Sequence, residues 1–254
     1  LGADAEDYLA TWRLFVERQG APKLLLVGLD MDAFAKDDRS VQFSHTLPFL
    51  SAYNGTRPSR LKWIRHTLRM VQGAISAGYV KDAAVAFWSF FSPPEVRFAF
   101  RPDGVLLYPK ADREMAVPGT NRQPAIDQCT ASYTKRLAAV DPARWSAVER
   151  VIREANAAHT RVILWITPLH PTLLQAIESD SVDAALLRAF HSLADSMSRR
   201  AHVDLVDLSR PESWGGDPGD WYDCVHFRRE NARRIEAAIA AHTAPAGPSP
   251  NGTP

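Results

Sequence analysis

The run KLLLVGL, Lys23–Leu29, decides how the chain is read. It is almost continuously apolar and does not alternate, which is the pattern of a strand covered on both faces in a parallel sheet. The segment before it, Glu6–Gln19, places Leu9, Trp12, Phe15 and Val16 on one helical stripe and stops at Gly20-Ala21-Pro22. This helix-then-strand unit recurs twice. Residues 142–159 (PARWSAVERVIREANAAH) read as a helix leading into the strand RVILWIT, Arg161–Thr167. Residues 181–201 read as a helix leading into HVDLVDL, His202–Leu208, a weaker strand because Asp204 and Asp207 interrupt it. The repetition predicts an α/β fold, a doubly wound parallel sheet in three layers.

A last helix, Arg228–Ala241, with Ala232, Ile235, Ala238 and Ile239 as its apolar stripe, is expected to pack back on that sheet. The domain is read as residues 1–242. Residues 243–254 are too rich in Pro, Gly and Ser to pack and are read as a disordered tail. Between the first two strands lies a less regular insertion, about residues 31–140. Within it Pro58–Ser76 and Lys81–Phe91 look helical, and Val96–Pro109 reads as a hairpin turning at Pro102-Asp103-Gly104. By analogy with open α/β sheets, the insertion is expected over the carboxyl ends of the strands.

Composition narrows the function classes. With 254 residues, 46% hydrophobic and 23% charged, the chain can bury a substantial core. Its net charge of +1, with acids and bases interspersed, gives no electrostatic case for nucleic acid or an anionic membrane as partner. No run reaches the roughly 18 apolar residues that a membrane span needs. Cys129 and Cys224 make no metal cluster; one disulfide is compatible with them, and the spacing does not decide whether they pair.

The chemistry concentrates in GDWYDCVHFRREN, Gly219–Asn231, where Asp223 and His226 stand three positions apart between a Gly/Pro/Asp-rich loop and the last helix. A histidine that removes a proton from a hydroxyl needs a carboxylate to hold its tautomer and stabilise the imidazolium. Asp223 can supply it. The plain alternative is that Asp223 caps the helix and His226 is a satisfied polar residue. Thr167 and His170, in ITPLHP, follow the second strand; His170 either contacts substrate or is a surface residue in a stiff loop. His45, His66, His159, His191 and His202 have no acidic partner at useful spacing and are read as structural.

The block WYDCVHFRRENARRIEAAI resembles the C-terminal block of SGNH (GDSL-like) hydrolases and acyltransferases, and FRPDGVLLY, VILWITPLHP and WYDCVHF follow one another as in envelope-type members of that family. The resemblance spans about residues 1–241, and the Asp-x-x-His block is its chemically specific part. It implies a flavodoxin-like sheet, with a Ser nucleophile after the first strand, a Gly after the second and an Asn after the third. Asp223 and His226 then match the closing acid and base. Gly2 matches the oxyanion-binding glycine, and Asp30 stands where the Asn belongs, a departure that would set a carboxylate beside developing negative charge. No Gly-Asp-Ser or Gly-Ser-Ser follows an apolar strand, so the expectation is that the Ser and its strand lie upstream of Leu1 and that this chain alone is inactive. The strand at Lys23–Leu29 would then have an unpaired edge, and solubility would suffer. The resemblance further implies hydrolysis or transfer of an oxygen ester on an acylated carbohydrate, no metal or organic cofactor, and the periplasmic side of a cell envelope. An upstream membrane anchor is compatible with it.

Two other readings stand beside this one. A non-catalytic SGNH-like module could bind carbohydrate or serve assembly, with Trp88, Phe90, Phe91, Phe98, Phe100 and Tyr108 as stacking surfaces. Alternatively, LLLVGLDMDAF resembles the opening motif of haloacid-dehalogenase-type phosphatases, with Asp30 and Asp32 as nucleophile and acid, Thr167 on phosphate, and Asp217 or Asp220 on Mg²⁺. That family needs a Lys after the Thr, and the last lysine here is Lys135.

Overall fold

The computed structural model describes residues 5–35, 99–100, 106–115, 117, 120–137 and 139–243. The chain divides into two compact units, one of residues 1–37 with 122–254 and one of residues 38–121. The inserted unit is therefore shorter than the 31–140 read from sequence. Residues 31–35 and 122–140 belong to the larger unit because they pack in its core, where Phe34, Ile126 and Tyr133 are buried.

In the larger unit, α1 (Ala5–Gln19) leads into β1 (Leu24–Leu29), and a 3-10 turn, Met31–Phe34, follows. In the smaller unit β2 (Ala99–Phe100) and β3 (Leu106–Leu107) pair antiparallel, Ala99 opposite Leu107, as the hairpin reading expects. Helix α2 (Pro109–Met115) comes next, its end tied by the Thr120 hydroxyl donating to the Glu114 carbonyl at 2.8 Å. The hairpin turn, both expected insertion helices, Gly2 and the tail from residue 244 lie outside the described residues.

The larger unit continues with α3 (Gln123–Thr134), α4 (Pro142–Ala157), β4 (Arg161–Ile166), α5 (Pro171–Ser179), α6 (Ser181–Ala201), β5 (Asp204–Asp207), a 3-10 turn at Pro211–Trp214 and α7 (Arg229–Thr243). Its sheet has the order β1-β4-β5, all parallel, with Leu26 opposite Ile163 and Leu164 opposite Leu205. Parallel strands need helical crossovers; α4 and α6 of these crossovers lie with α1 on one face of the sheet, and the last helix, α7, lies on the other. On one face Val27, Leu29, Val162, Leu164 and Ile166 pack against Leu9 and Trp12 of α1, Val148 and Ile152 of α4, and Phe190 and Met197 of α6. On the other, Ile163, Val206, Leu208 and Trp221 pack against Ile235 and Ile239 of α7. The architecture is thus α/β, a small parallel sheet between helical layers.

Local chemistry explains the joints. Asp180 starts α6 by accepting from the N–H groups of Val182 and Asp183 at 2.8 and 3.0 Å. His159 and His202 follow α4 and α6 in the left-handed conformation that ends helices, with φ of 58° and 52°, so their reading as structural holds. Gly28 leaves room for the ring of Trp165 on the paired strand; a Cβ there would stand 3.3 Å from it.

Two details depart from the sequence reading, one in the stripe of α1 and one in the expectation that Lys23–Leu29 is covered on both faces. Phe15 is 45% exposed, whereas Leu9 and Trp12 on the same helix are buried. Among the described residues β1 pairs only with β4, and Leu24 and Leu26, on the α7 side of the sheet, are 46% and 45% exposed because α7 lies over β4 and β5.

Candidate active site

Parallel strands deliver all their carboxyl ends to one rim, so the segments after β1, β4 and β5 meet there. The joins are explicit. Thr167 N–H donates to the Leu29 carbonyl at 3.1 Å, Leu208 N–H to Ile166 at 3.3 Å, Leu169 N–H to Ser209 at 3.2 Å, and His170 N–H to Cys224 at 3.0 Å.

The loop Asp220–Arg228 folds back on itself through the bridge between Trp221 and Phe227 and the Tyr222 N–H donating to the His226 carbonyl at 2.7 Å. Within it the His226 Nδ1–H donates to Asp223 Oδ2 at 2.8 Å. Asp223 Oδ1 accepts from the N–H groups of Val225 and His226, at 2.9 and 2.8 Å. Burial pushes the Asp223 carboxyl up, but the His226 bond and charge and the two backbone donors outweigh it and hold the group below its usual range. An ionised Asp223 only accepts, so it fixes the proton of neutral His226 on Nδ1 and directs the Nε2 lone pair to proton transfer.

The loop is anchored by a residue that sequence reading passed over. Asn231, fully buried in the first turn of α7, accepts from Asp217 N–H at 2.8 Å and donates to the carbonyls of Asp217 and Asp220 at 2.8 and 3.1 Å. Asp220 Oδ2 in turn accepts from Asn231 N–H at 2.7 Å, which caps α7. The signal was an Asn just inside a helix start, where a side chain reaches the preceding loop.

Asp30 follows β1 and starts the 3-10 turn, its Oδ1 accepting from Asp32 N–H at 3.0 Å and from the Tyr133 hydroxyl at 3.1 Å. Desolvation pushes its carboxyl above the ordinary range; the Asp32 N–H bond, Tyr133 and the charge of His226 pull the other way, and Asp32 pushes with the burial. Burial and the two nearby carboxylates push the Tyr133 phenol well above its ordinary value, which keeps it a neutral donor. Asp30 thus lies close enough to His226 to feel its charge.

His170 is neither a surface residue nor free to meet substrate. It is buried, its Nδ1 accepts from Thr172 N–H at 3.1 Å to cap α5, and its Nε2–H donates to the Pro218 carbonyl at 3.2 Å. Burial lowers its pKa, against the Pro218 bond. The phosphatase arrangement gains no support either. The Thr167 hydroxyl donates to the Leu29 carbonyl at 3.2 Å, Asp217 caps the turn at Gly219 N–H at 2.8 Å, and Asp220 is spent on α7. Among the described residues no group of three His, Cys, Asp or Glu side chains could hold a metal ion.

A disulfide joins Cys129 on α3 to Cys224, the residue after Asp223. Four residues on from Cys129, Tyr133 bonds Asp30, so α3 touches both halves of the rim. Among the described residues no helix is long and apolar enough to cross a membrane. No protein-family model, curated protein or solved structure matches the chain. Fold and site together define an α/β protein with an Asp–His dyad at the carboxyl rim of a parallel sheet.

Proposed function

We propose that this is an SGNH-like ester hydrolase or O-acyltransferase domain acting on an oxygen ester of an acylated carbohydrate. The observation that carries the reading is the 2.8 Å bond from His226 Nδ1 to Asp223 at the rim where the segments after all three strands of the sheet converge. The sheet order, consecutive from β1 through β4 to β5, suits a flavodoxin-like arrangement.

The nucleophile in this reading is a serine hydroxyl outside the described residues. His226 Nε2 takes its proton as the oxygen attacks the ester carbonyl. The imidazolium, held by Asp223, returns that proton to the departing alkoxide and leaves an acyl-serine. Water or an acceptor hydroxyl then gives its proton to Nε2 and takes the acyl group, and the imidazolium passes that proton to the departing serine oxygen, which makes the outcome hydrolysis or transfer. The Cys129–Cys224 disulfide supports an oxidising compartment, consistent with the envelope side.

The test is acetate release from an O-acetylated oligosaccharide by the product of the full reading frame. Turnover is expected to fall about 10²–10⁴-fold in His226→Ala, the usual contribution of a general base. Turnover unchanged by His226→Ala overturns the reading. Sugar binding with no acetate release replaces it with the non-catalytic carbohydrate-binding module, for which the Asp30 carboxylate, in the place of an amide, is the favouring observation.

A further inference from the structure

A second cluster lies apart from the dyad. Beyond the end of β5, a cavity of about 440 Å³ opens between α5 and α6, within the size range of small-molecule sites. Leu174 and Leu187, both buried, give it an apolar floor. His191, which the sequence offers no acidic partner, meets one here: its Nδ1 stands 3.0 Å from Asp207 Oδ2. Asp207 Oδ1 accepts in addition from the Ser209 hydroxyl at 2.7 Å and the Ser209 N–H at 3.0 Å.

Burial raises the Asp207 carboxyl, yet the His191 and Ser209 bonds outweigh it and bring it down to about 2. Ionised Asp207 can only accept, so His191 carries a proton on Nδ1 and turns Nε2 to a ligand. The remaining charges in the wall are Glu178 and Arg210, which pair with each other, and Arg188, which has no carboxylate partner among the described residues. The cavity thus combines the guanidinium of Arg188, a fork suited to carboxylate, with the second ring nitrogen of His191, above an apolar floor.

We infer that this cavity binds a small 2-hydroxycarboxylate with an apolar body, its carboxylate on Arg188, its hydroxyl hydrogen-bonded to His191 Nε2 and its body on Leu174 and Leu187. Glu178 and Asp207 do not oppose the anion strongly, since Arg210 and His191 with Ser209 already occupy them. The site uses no member of the Asp223–His226 dyad, so it stands or falls independently of the esterase reading.

The probe is mandelate, titrated into the full chain and followed by NMR shifts of residues lining the cavity. Phenylacetate lacks only the hydroxyl, and 1-phenylethane-1,2-diol lacks the carboxylate. Mandelate is expected to bind saturably. The diol, and mandelate with Arg188→Gln, should bind about tenfold or more weakly, and phenylacetate about threefold or more weakly, as loss of a charged and a neutral hydrogen bond respectively. Arg188 is exposed, so its replacement leaves the core intact. The inference is overturned if mandelate shows no saturable binding by about 10 mM, if Arg188→Gln binds it unchanged, or if phenylacetate binds as tightly.

Discussion

Asp223 serves three donors with two oxygens, and the division between them makes an isosteric test possible. Oδ1 holds the N–H groups of Val225 and His226, and Oδ2 holds His226 Nδ1. In Asp223→Asn the carbonyl oxygen stays with the two backbone donors, so the amide NH₂ faces Nδ1 and can only donate to it. Neutral His226 must then carry its proton on Nε2, the atom meant to receive one. The expected outcome is a switch of the His226 tautomer in ¹⁵N NMR with the loop fold retained; an unchanged Nδ1–H would count against the orienting role. Asp30 gives a second test, on stability. Its folded pKa is raised by burial above the ordinary 3.8, so the unfolded chain releases its proton first and stability is lost as pH rises from that value through the folded one. Asn at position 30 still accepts from Asp32 N–H and the Tyr133 hydroxyl and carries no charge. Asp30→Asn should therefore raise the melting temperature relative to the native chain near neutral pH and lose that advantage below pH 3.8; an equal difference at both ends contradicts the buried-carboxylate account.

At the scale of elements, apolar runs marked β1 and β4 as strands, although β1 is covered on one face and half-exposed on the other, and in the stripe read for α7 Ile235 and Ile239 are the buried members. The pair Asp223–His226 was legible because three residues on one tight loop bring the two side chains together whatever the surrounding fold does. His191–Asp207 was not, since sixteen positions and a helix-to-strand turn separate them and only the docking of α6 on β5 joins them. The role of His170 was misread for a similar reason: a His before a Pro at a helix start is a cap once α5 forms, and the Pro218 carbonyl that occupies its other nitrogen comes from a loop 48 residues away. Edge exposure is the element-level consequence. A parallel strand that, among the described residues, pairs on one side only and carries two half-exposed leucines favours pairing with other chains. Leu26→Lys, on that surface, is expected to lower self-association in sedimentation velocity while shifting unfolding by no more than about 0.5 kcal/mol. Unchanged association would mean that the β1 edge is not where copies meet.

Over the whole molecule, the Cys129–Cys224 bond links parts that the chain itself joins only through 95 residues. The sequence shows two cysteines and no reason to pair them; the pairing arises because α3 packs beside α5 and the dyad loop lies against both, with His170 N–H bound to the Cys224 carbonyl. Closing so long a loop restricts the unfolded chain strongly, and removing such a link costs about 2–4 kcal/mol. The double variant Cys129→Ala/Cys224→Ala is thus expected to melt on the order of 10 °C lower. The tether has a chemical consequence as well, since Cys224 sits between Asp223 and Val225, whose N–H holds the Asp223 carboxylate in place. If the disulfide serves stability alone, the double variant below its melting temperature keeps the His226 Nδ1–H signal of the native chain. If it also sets the dyad, that signal broadens or moves while the α/β core stays folded. The second outcome is the expected one, because among the described residues the disulfide is the covalent link that fixes this loop from the α3 side.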